Sequence, residues 1–290
     1  MKNILGLGIL FSVITAGAYG NDSGIFNFKA GQFDVYMLVE SERDGNAGIL
    51  VGADADVLRR YIPAQGFKHS ANAFLIKAPG RNILIDSGTG QGGIILEKIR
   101  SLGVRLEDIN AVLITHLHGD HFGSLQRDGA AVFPNAKIYI SQRELEYFTV
   151  TNPNQGAVNA LAPYRQRNMI ETFAPGELLA QRRNAILPGI FPIAAYGHTP
   201  GHTIFLLESG NARLLIIGDL LHVAVVQFHV PSISATYDMD DTAAANVRAQ
   251  VLSYTASNRI PIGGMHIVYP GVGTLEAYNN GASFNYTPME

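Results

Sequence analysis

Thr115-His116-Leu117-His118-Gly119-Asp120-His121 packs four metal-binding side chains into six consecutive positions, directly after the apolar run Ala111-Val112-Leu113-Ile114. A short apolar run of this kind reads as a buried strand, so the cluster stands where a strand gives way to a loop. Imidazole nitrogens and carboxylate oxygens suit a borderline-soft cation such as zinc. His116 and His118, two apart on extended backbone, project to the same side. Gly119 relaxes the backbone, which lets Asp120 and His121 turn to a second point nearby. A lone histidine is more often a surface or core residue than a ligand, but three with an aspartate at this spacing are not ordinary. One loop can therefore serve two adjacent metals.

The surrounding chain suits a globular enzyme. Hydrophobic residues make up 47% and charged residues 16% of 290 positions, enough for a large core. A net charge of −3, with Lys and Arg scattered, excludes a nucleic-acid partner as the expectation. Only Arg248 and Arg259 follow Arg213, so the last quarter is nearly free of cations. At the N-terminus, Lys2 followed by the apolar stretch Ile4 to Thr15 reads as an export signal, residues 1–18, with small residues allowing cleavage at 18 or 20. The stretch is short for a membrane span, which needs about 20 apolar residues. Cysteine is absent, which removes thiolate ligands and a lipid-anchoring cysteine from consideration. The expectation is a protein that is periplasmic or secreted, with no membrane contact after signal cleavage.

Hydrophobic periodicity predicts strands at Phe33 to Glu40, Ile49 to Val51, Asn72 to Lys77 and Asn82 to Asp86, the last pair turned by Pro79-Gly80. Asp54 to Tyr61 and Gly93 to Leu102 read as helices. Lys137 to Ile140 reads as a strand, and Ser141 with Glu144 as a capping box for a helix through Phe148. Residues 149–189 hold a helix near Val158 to Asn168 and are expected to form an insertion or lid. Strands return at Ile204 to Glu208 and Ala212 to Ile217. A helix follows at Asp240 to Ser257, capped by Asp240 or Asp241, and then a strand at Ile260 to Gly263. The tail from Tyr269 to Glu290 suggests a closing hairpin. Intermixed strands and helices with polar strand ends predict one layered α/β domain over 19–290.

Three further stretches repeat the theme of a ligand at a strand end. Gly197-His198-Thr199-Pro200-Gly201-His202 precedes one strand, Leu215-Ile216-Ile217-Gly218-Asp219 closes another, and Gly263-Gly264-Met265-His266 closes a third. With these in their order, the chain from about Phe33 to Phe284 resembles the metallo-β-lactamase superfamily, in its dinuclear hydrolase branch. That resemblance implies an αββα sandwich of two mixed sheets flanked by helices, with the site at one edge. It implies that His116, His118 and His202 hold one metal and Asp120, His121 and His266 the other, with Asp219 bridging. Asp86 matches an aspartate that supports the ligand histidines from behind, and His198 is expected in the same supporting shell. Two divalent ions, zinc first among them, would share a water and bring its pKa to about 7, giving a bridging hydroxide at neutral pH.

The branch can be narrowed. Thiolate-ligand β-lactamases need a cysteine, and other β-lactamase classes lack a carboxylate where this chain has Asp219. Glutathione thioesterases use late basic residues, and nothing after Arg259 is basic. Gly218-Asp219-Leu220-Leu221-His222 with Val225 to Phe228, and Met265 to Gly273, are similar to the methyl parathion hydrolase group. The acyl-homoserine lactonases carry a tyrosine where this chain has His222. Asp120 and His222 are the expected catalytic side chains, His222 by polarising substrate or by packing. Phe67, Phe122, Tyr147, Phe148 and Phe228 are expected to line the pocket. With cations scarce nearby, they predict a small uncharged ester, lactone or phosphotriester, and so a lactonase, arylesterase or phosphotriesterase. A β-lactamase-like amidase, or a metal-binding relic without activity, are the alternatives. A homodimer is left open.

Overall fold

A computed structural model describes residues 16–17, 23–180 and 183–290. The expected leader and its cleavage positions lie outside these, apart from Ala16–Gly17. The first sheet has eight strands in spatial order: Ala16–Gly17, Ile25–Ala30, Phe33–Asp44, Lys68–Ala78, Arg81–Ile85, Ile109–Leu113, Lys137–Ser141 and Ile170–Phe173. Pairing is antiparallel as far as Arg81–Ile85 and parallel beyond it. The second sheet has six: Ile190–Ala194, Thr203–Ser209, Ala212–Ile216, Ile262–Gly263, Val272–Tyr278 and Ser283–Pro288. Only Ala212–Ile216 and Ile262–Gly263 pair in parallel there.

Side chains alternate between two buried faces, which explains why these strands read as continuous apolar runs. In Lys68–Ala78, Ala73 and Leu75 join a core shared with the helices Ile94–Ser101 and Gln155–Arg165. Phe74 and Ile76 face the other way, into a core between the two sheets that also takes Phe205 and Leu207. In Thr203–Ser209, Ile204 and Leu206 point to a third core under the helix Asp241–Asn258. Three stacked cores separate four layers, helix, sheet, sheet, helix. This is the αββα sandwich the resemblance implied.

Segment 149–189 departs from expectation. Its helix runs Gln155–Arg165, three residues earlier than the periodicity suggested, because the Asn154 side chain caps it by accepting from Ala157 N. Ala157, Ala160, Leu161 and Tyr164 are buried in the first core, and Ile170–Phe173 completes the first sheet beside Lys137–Ser141. That part is a structural layer, not a lid. The capping box also fails: Ser141 makes no side-chain cap, and Glu144 is buried and turned toward two loops of the site.

Candidate metal centre

Every donor stands just past a strand, at one edge of the sandwich. Asp86 follows Arg81–Ile85, residues 115–121 follow Ile109–Leu113, His198 follows Ile190–Ala194, Asp219 follows Ala212–Ile216 and His266 follows Ile262–Gly263. Strand ends are where loops can carry polar groups that a sheet interior could not satisfy.

Two groups of donors result. His116 Nε2, His118 Nδ1 and His198 Nε2 form a triangle with sides of 3.1, 3.0 and 3.1 Å. A tetrahedral ion with metal–nitrogen bonds of about 2.0–2.1 Å sets its ligands roughly 3.3 Å apart, close to these edges. Asp120, His121 and His266 form the second group. Asp219 stands between them. Its Oδ2 lies 3.6 Å from His116 Nε2, 3.4 Å from His198 Nε2 and 3.0 Å from His266 Nε2, and its Oδ1 lies 3.2 Å from His121 Nε2.

Burial and the neighbouring carboxylates shift the donor histidines in opposite directions. Burial pushes His116, His118 and His198 down, His198 to about 3. Burial would lower His121 too, but the carboxylates of Asp219, Asp120 and Asp86 around it raise it well above the usual imidazole range. Asp219, despite burial, is held well below the usual carboxylate range by His121, His266 and His116. Neutral His116, His118 and His198 beside an ionised Asp219 are in the protonation states that bind a cation, whereas His121 would give up a proton to do so. His121 Nε2 and Asp219 Oδ1, both buried, have no hydrogen-bond partner among the described residues. Such orphaned donors facing one point fit a divalent metal.

Supports behind the donors fix their rings. Asp86 accepts from Thr115 N at 2.8 Å and from Thr115 Oγ1 at 2.7 Å, and lies 2.7 Å from His121 Nδ1. His266 Nδ1 is 2.8 Å from the carbonyl of Ser70. His198 Nδ1 is 3.0 Å from Asp238 Oδ1, and Asp238 Oδ2 accepts from Arg248 Nη2 at 3.0 Å. Against its burial, Asp238 is held down at about 2 by the His198 hydrogen bond and by Arg248. Arg248 is itself fully buried and also donates to the carbonyls of Leu220, Pro231 and Ile233. Glu144 accepts from Leu117 N, Thr199 Oγ1 and Gly201 N at 2.8, 2.8 and 2.9 Å, joining the 116–121 loop to the 198–202 loop. A Cβ at Gly201 would lie 2.4 Å from Glu144 N, so only glycine allows this approach.

The roles expected of His198 and His202 are exchanged. His202 has both ring nitrogens engaged: Nδ1 lies 2.9 Å from the Ala195 carbonyl, and Nε2 accepts from Asp219 N at 3.1 Å. It steadies the backbone of Asp219 and has no lone pair left for a metal. Gly218 lets it come so close, since a Cβ there would sit 2.5 Å from His202 Nε2. His198 takes the place in the first donor group. His222 lies among the donors, its Nε2 3.3 Å from Asp219 Oδ2 and its ring between those of His198 and His266. Its Nδ1 is buried without a partner among the described residues.

A cavity of about 650 Å³ opens over the donors, walled by Arg43, Asn46, His69, Thr89, His222 and Tyr237 among others. None of the five expected aromatics lines it. Phe122 and Phe148 are buried in the first core, although the Phe148 ring meets that of His118 edge-on at 5.9 Å. Tyr147 lines a separate hollow beside Arg143 and Pro200. Phe67 and Phe228 line a neighbouring apolar cavity of about 330 Å³ that reaches His266 from the other side. The expected scarcity of cations is also corrected, because Arg43 comes from a strand distant in sequence from every donor. Periodicity could have flagged Arg248. Ala244, Arg248, Val251, Leu252 and Thr255 form one buried helical stripe, and an arginine within it demands a buried acidic partner.

Known proteins resemble this chain in sequence and in fold. Residues 67–258 match the metallo-beta-lactamase superfamily. A probable metallo-hydrolase, YflN of Bacillus subtilis, is 28% identical over 199 residues, 64% of this chain and 70% of its own. An N-acyl homoserine lactonase of Bacillus cereus is 26% identical over 125 residues, 42% of each chain. Among solved structures, hydrolase AbOPH of the beta lactamase superfamily superposes with a TM-score of 0.83 at 26% identity, over 92% of this chain and 98% of that one. The dizinc quorum-quenching lactonase AidC shares the fold with a TM-score of 0.76 at 22% identity, over 92% and 98%.

Proposed function

The chain belongs to the metallo-β-lactamase superfamily, and on that premise we propose that it is a dinuclear hydrolase of lactone, ester or phosphotriester bonds. The observation that carries this reading is Asp219, whose two oxygens face both donor groups at once. In this reading His116, His118 and His198 hold one ion, Asp120, His121 and His266 the other, and Asp219 both. Two divalent ions there, zinc foremost, would supply a nucleophile from water at neutral pH and polarise the substrate oxygen. The chain's own residues set the rest. Asp86, Ser70 and Asp238 fix which nitrogen of His121, His266 and His198 faces the centre. His222, beside Asp219 on the cavity wall, is positioned to donate to a substrate oxygen.

Lactonases among the relatives support a cyclic or linear ester as substrate. The apolar segment Ile4 to Thr15 supports export to the periplasm or beyond. The test of the activity is a panel of γ-lactones, acyl-homoserine lactones, aryl esters, phosphotriesters and a chromogenic cephalosporin, run on protein of assayed metal content. Turnover of lactones or esters is expected to exceed that of the cephalosporin. Preference for the cephalosporin, or no hydrolysis by the metal-loaded protein, would overturn the proposal.

A further inference from the structure

One wall of the large cavity carries an unclaimed pair of nitrogen donors. Arg43 and His69 are register partners across the antiparallel pair Phe33–Asp44 and Lys68–Ala78, so their side chains leave the same face. Both line the cavity. His69 stacks on His266 with ring centroids 4.5 Å apart, so the row His266, His69, Arg43 leads from the donors to the mouth. The Arg43 side chain is exposed and, among the described residues, makes no hydrogen bond and no ion pair. The acid beside it is already taken, since Asp44 accepts from Lys68 at 2.7 Å. A register shift between Val39 and Ser41 precedes the pair; it turns Glu40 inward to accept from Thr89 N. Bulges of this kind re-aim the residues that follow them, here toward the cavity.

An arginine with no acidic partner at the rim of a cation-binding cavity is a ready receptor for a planar oxyanion, because its fork matches a carboxylate in two parallel hydrogen bonds. We propose that Arg43, with His69 beside it, forms a carboxylate-binding subsite, so that the preferred substrates are esters or lactones bearing a carboxylate several bonds from the scissile carbonyl. This inference rests on the hydrolase reading for the scissile bond, but the subsite itself does not depend on turnover.

The test compares mono-4-nitrophenyl glutarate with 4-nitrophenyl butyrate on metal-loaded protein. The wild type is expected to prefer the carboxylated ester in kcat/KM. Arg43→Ala is expected to lower that preference about tenfold, mainly through KM, as one charge-assisted contact near the surface warrants. Arg43→Lys should retain part of it. A ratio that stays within about twofold of the wild-type value in Arg43→Ala would overturn the proposal. Calorimetry keeps the two readings apart. If neither ester is hydrolysed, the hydrolase reading fails, yet glutarate binding tighter than butyrate by a margin that Arg43→Ala removes still supports the subsite. Equal affinities of wild type for the two acids would sink it.

Discussion

The two donor groups around Asp219 are alike in origin and unlike in support. Each takes two donors from the loop after Ile109–Leu113 and one from the second sheet: His116, His118 and His198 in the first, Asp120, His121 and His266 in the second. In the second group the supports come from the first sheet, through the Asp86 carboxylate and the Ser70 carbonyl. In the first group His198 leans on a charged chain, Asp238 and then Arg248, that reaches into the long helix Asp241–Asn258. A backbone carbonyl can be lost only with the strand that bears it, whereas a side-chain relay can be cut by one substitution. The Asp86 carboxylate of the second group can be cut likewise, but it also reaches the first group through Thr115, whose Oγ1 lies 3.0 Å from His116 Nδ1. A cut at Asp238 is therefore the one that loosens a single group.

The strongest way to break the comparison is to remove what the groups share. Asp219→Ala is expected to lose at least one metal and about a thousandfold in kcat/KM; two metals per chain by elemental analysis would rule out its bridging role. Next comes the exchanged pair. His198→Ala should empty one metal position while the fold persists. His202→Ala should keep the metal count but lower unfolding stability by roughly 2 kcal/mol, because it strips the Asp219 amide and the Ala195 carbonyl of their partner. The opposite pattern in metal content would restore His202 as the ligand.

Asp238→Asn sharpens the difference in support. It should weaken one of two metal-binding steps by about 10–100-fold and leave the other unchanged, as competition with a chromogenic chelator would read. Equal weakening of both steps would mean the two groups are not held independently. His222→Ala should lower turnover about tenfold with metal content intact; loss of metal would make it a ligand.

The smallest effect concerns pH. Burial holds His69 and His202 near 4 and His198 near 3, below the ordinary 6.5. In metal-free protein the unfolded chain thus takes up protons that the folded one refuses between pH 6.5 and about 4. The stability these groups give is complete above 6.5 and drains as pH falls through that window. His266 and His121, raised by the carboxylates despite burial, act in the opposite sense but only above 6.5. Urea midpoints in chelator should fall between pH 6.5 and 5 by an amount on the order of 1–3 kcal/mol. A flat profile would count against neutral histidines in the folded state.

The sequence made legible what is local or repeated. The 116–121 cluster, the strand-end Asp219 and His266, and the layered fold all follow from short-range pattern. The pair His198 and His202 shows where pattern stops. Two histidines four residues apart, each preceded by glycine and followed by threonine, are equivalent in their local pattern. Only the Ala195 carbonyl and the Asp219 amide, brought up by the sheet, decide which ring is saturated. Glu144 misled for a related reason, since an acid three residues past a serine suits a cap unless two loops offer it better donors. The cavity wall was illegible because it depends on the register of Phe33–Asp44 against Lys68–Ala78, some 25 residues apart.

Each sheet is made from one unbroken stretch of chain: the first is complete at Phe173, and the second does not start until Ile190. During synthesis, a chain that has emerged to residue 173 carries His116, His118, Asp120 and His121 but none of its distant partners. Such a nascent half would offer only two side chains to each proposed ion, a weaker hold than the full set. The full donor set exists only once the strand before His266 has been made. A fragment ending at residue 173 should therefore bind metal more weakly than the whole chain.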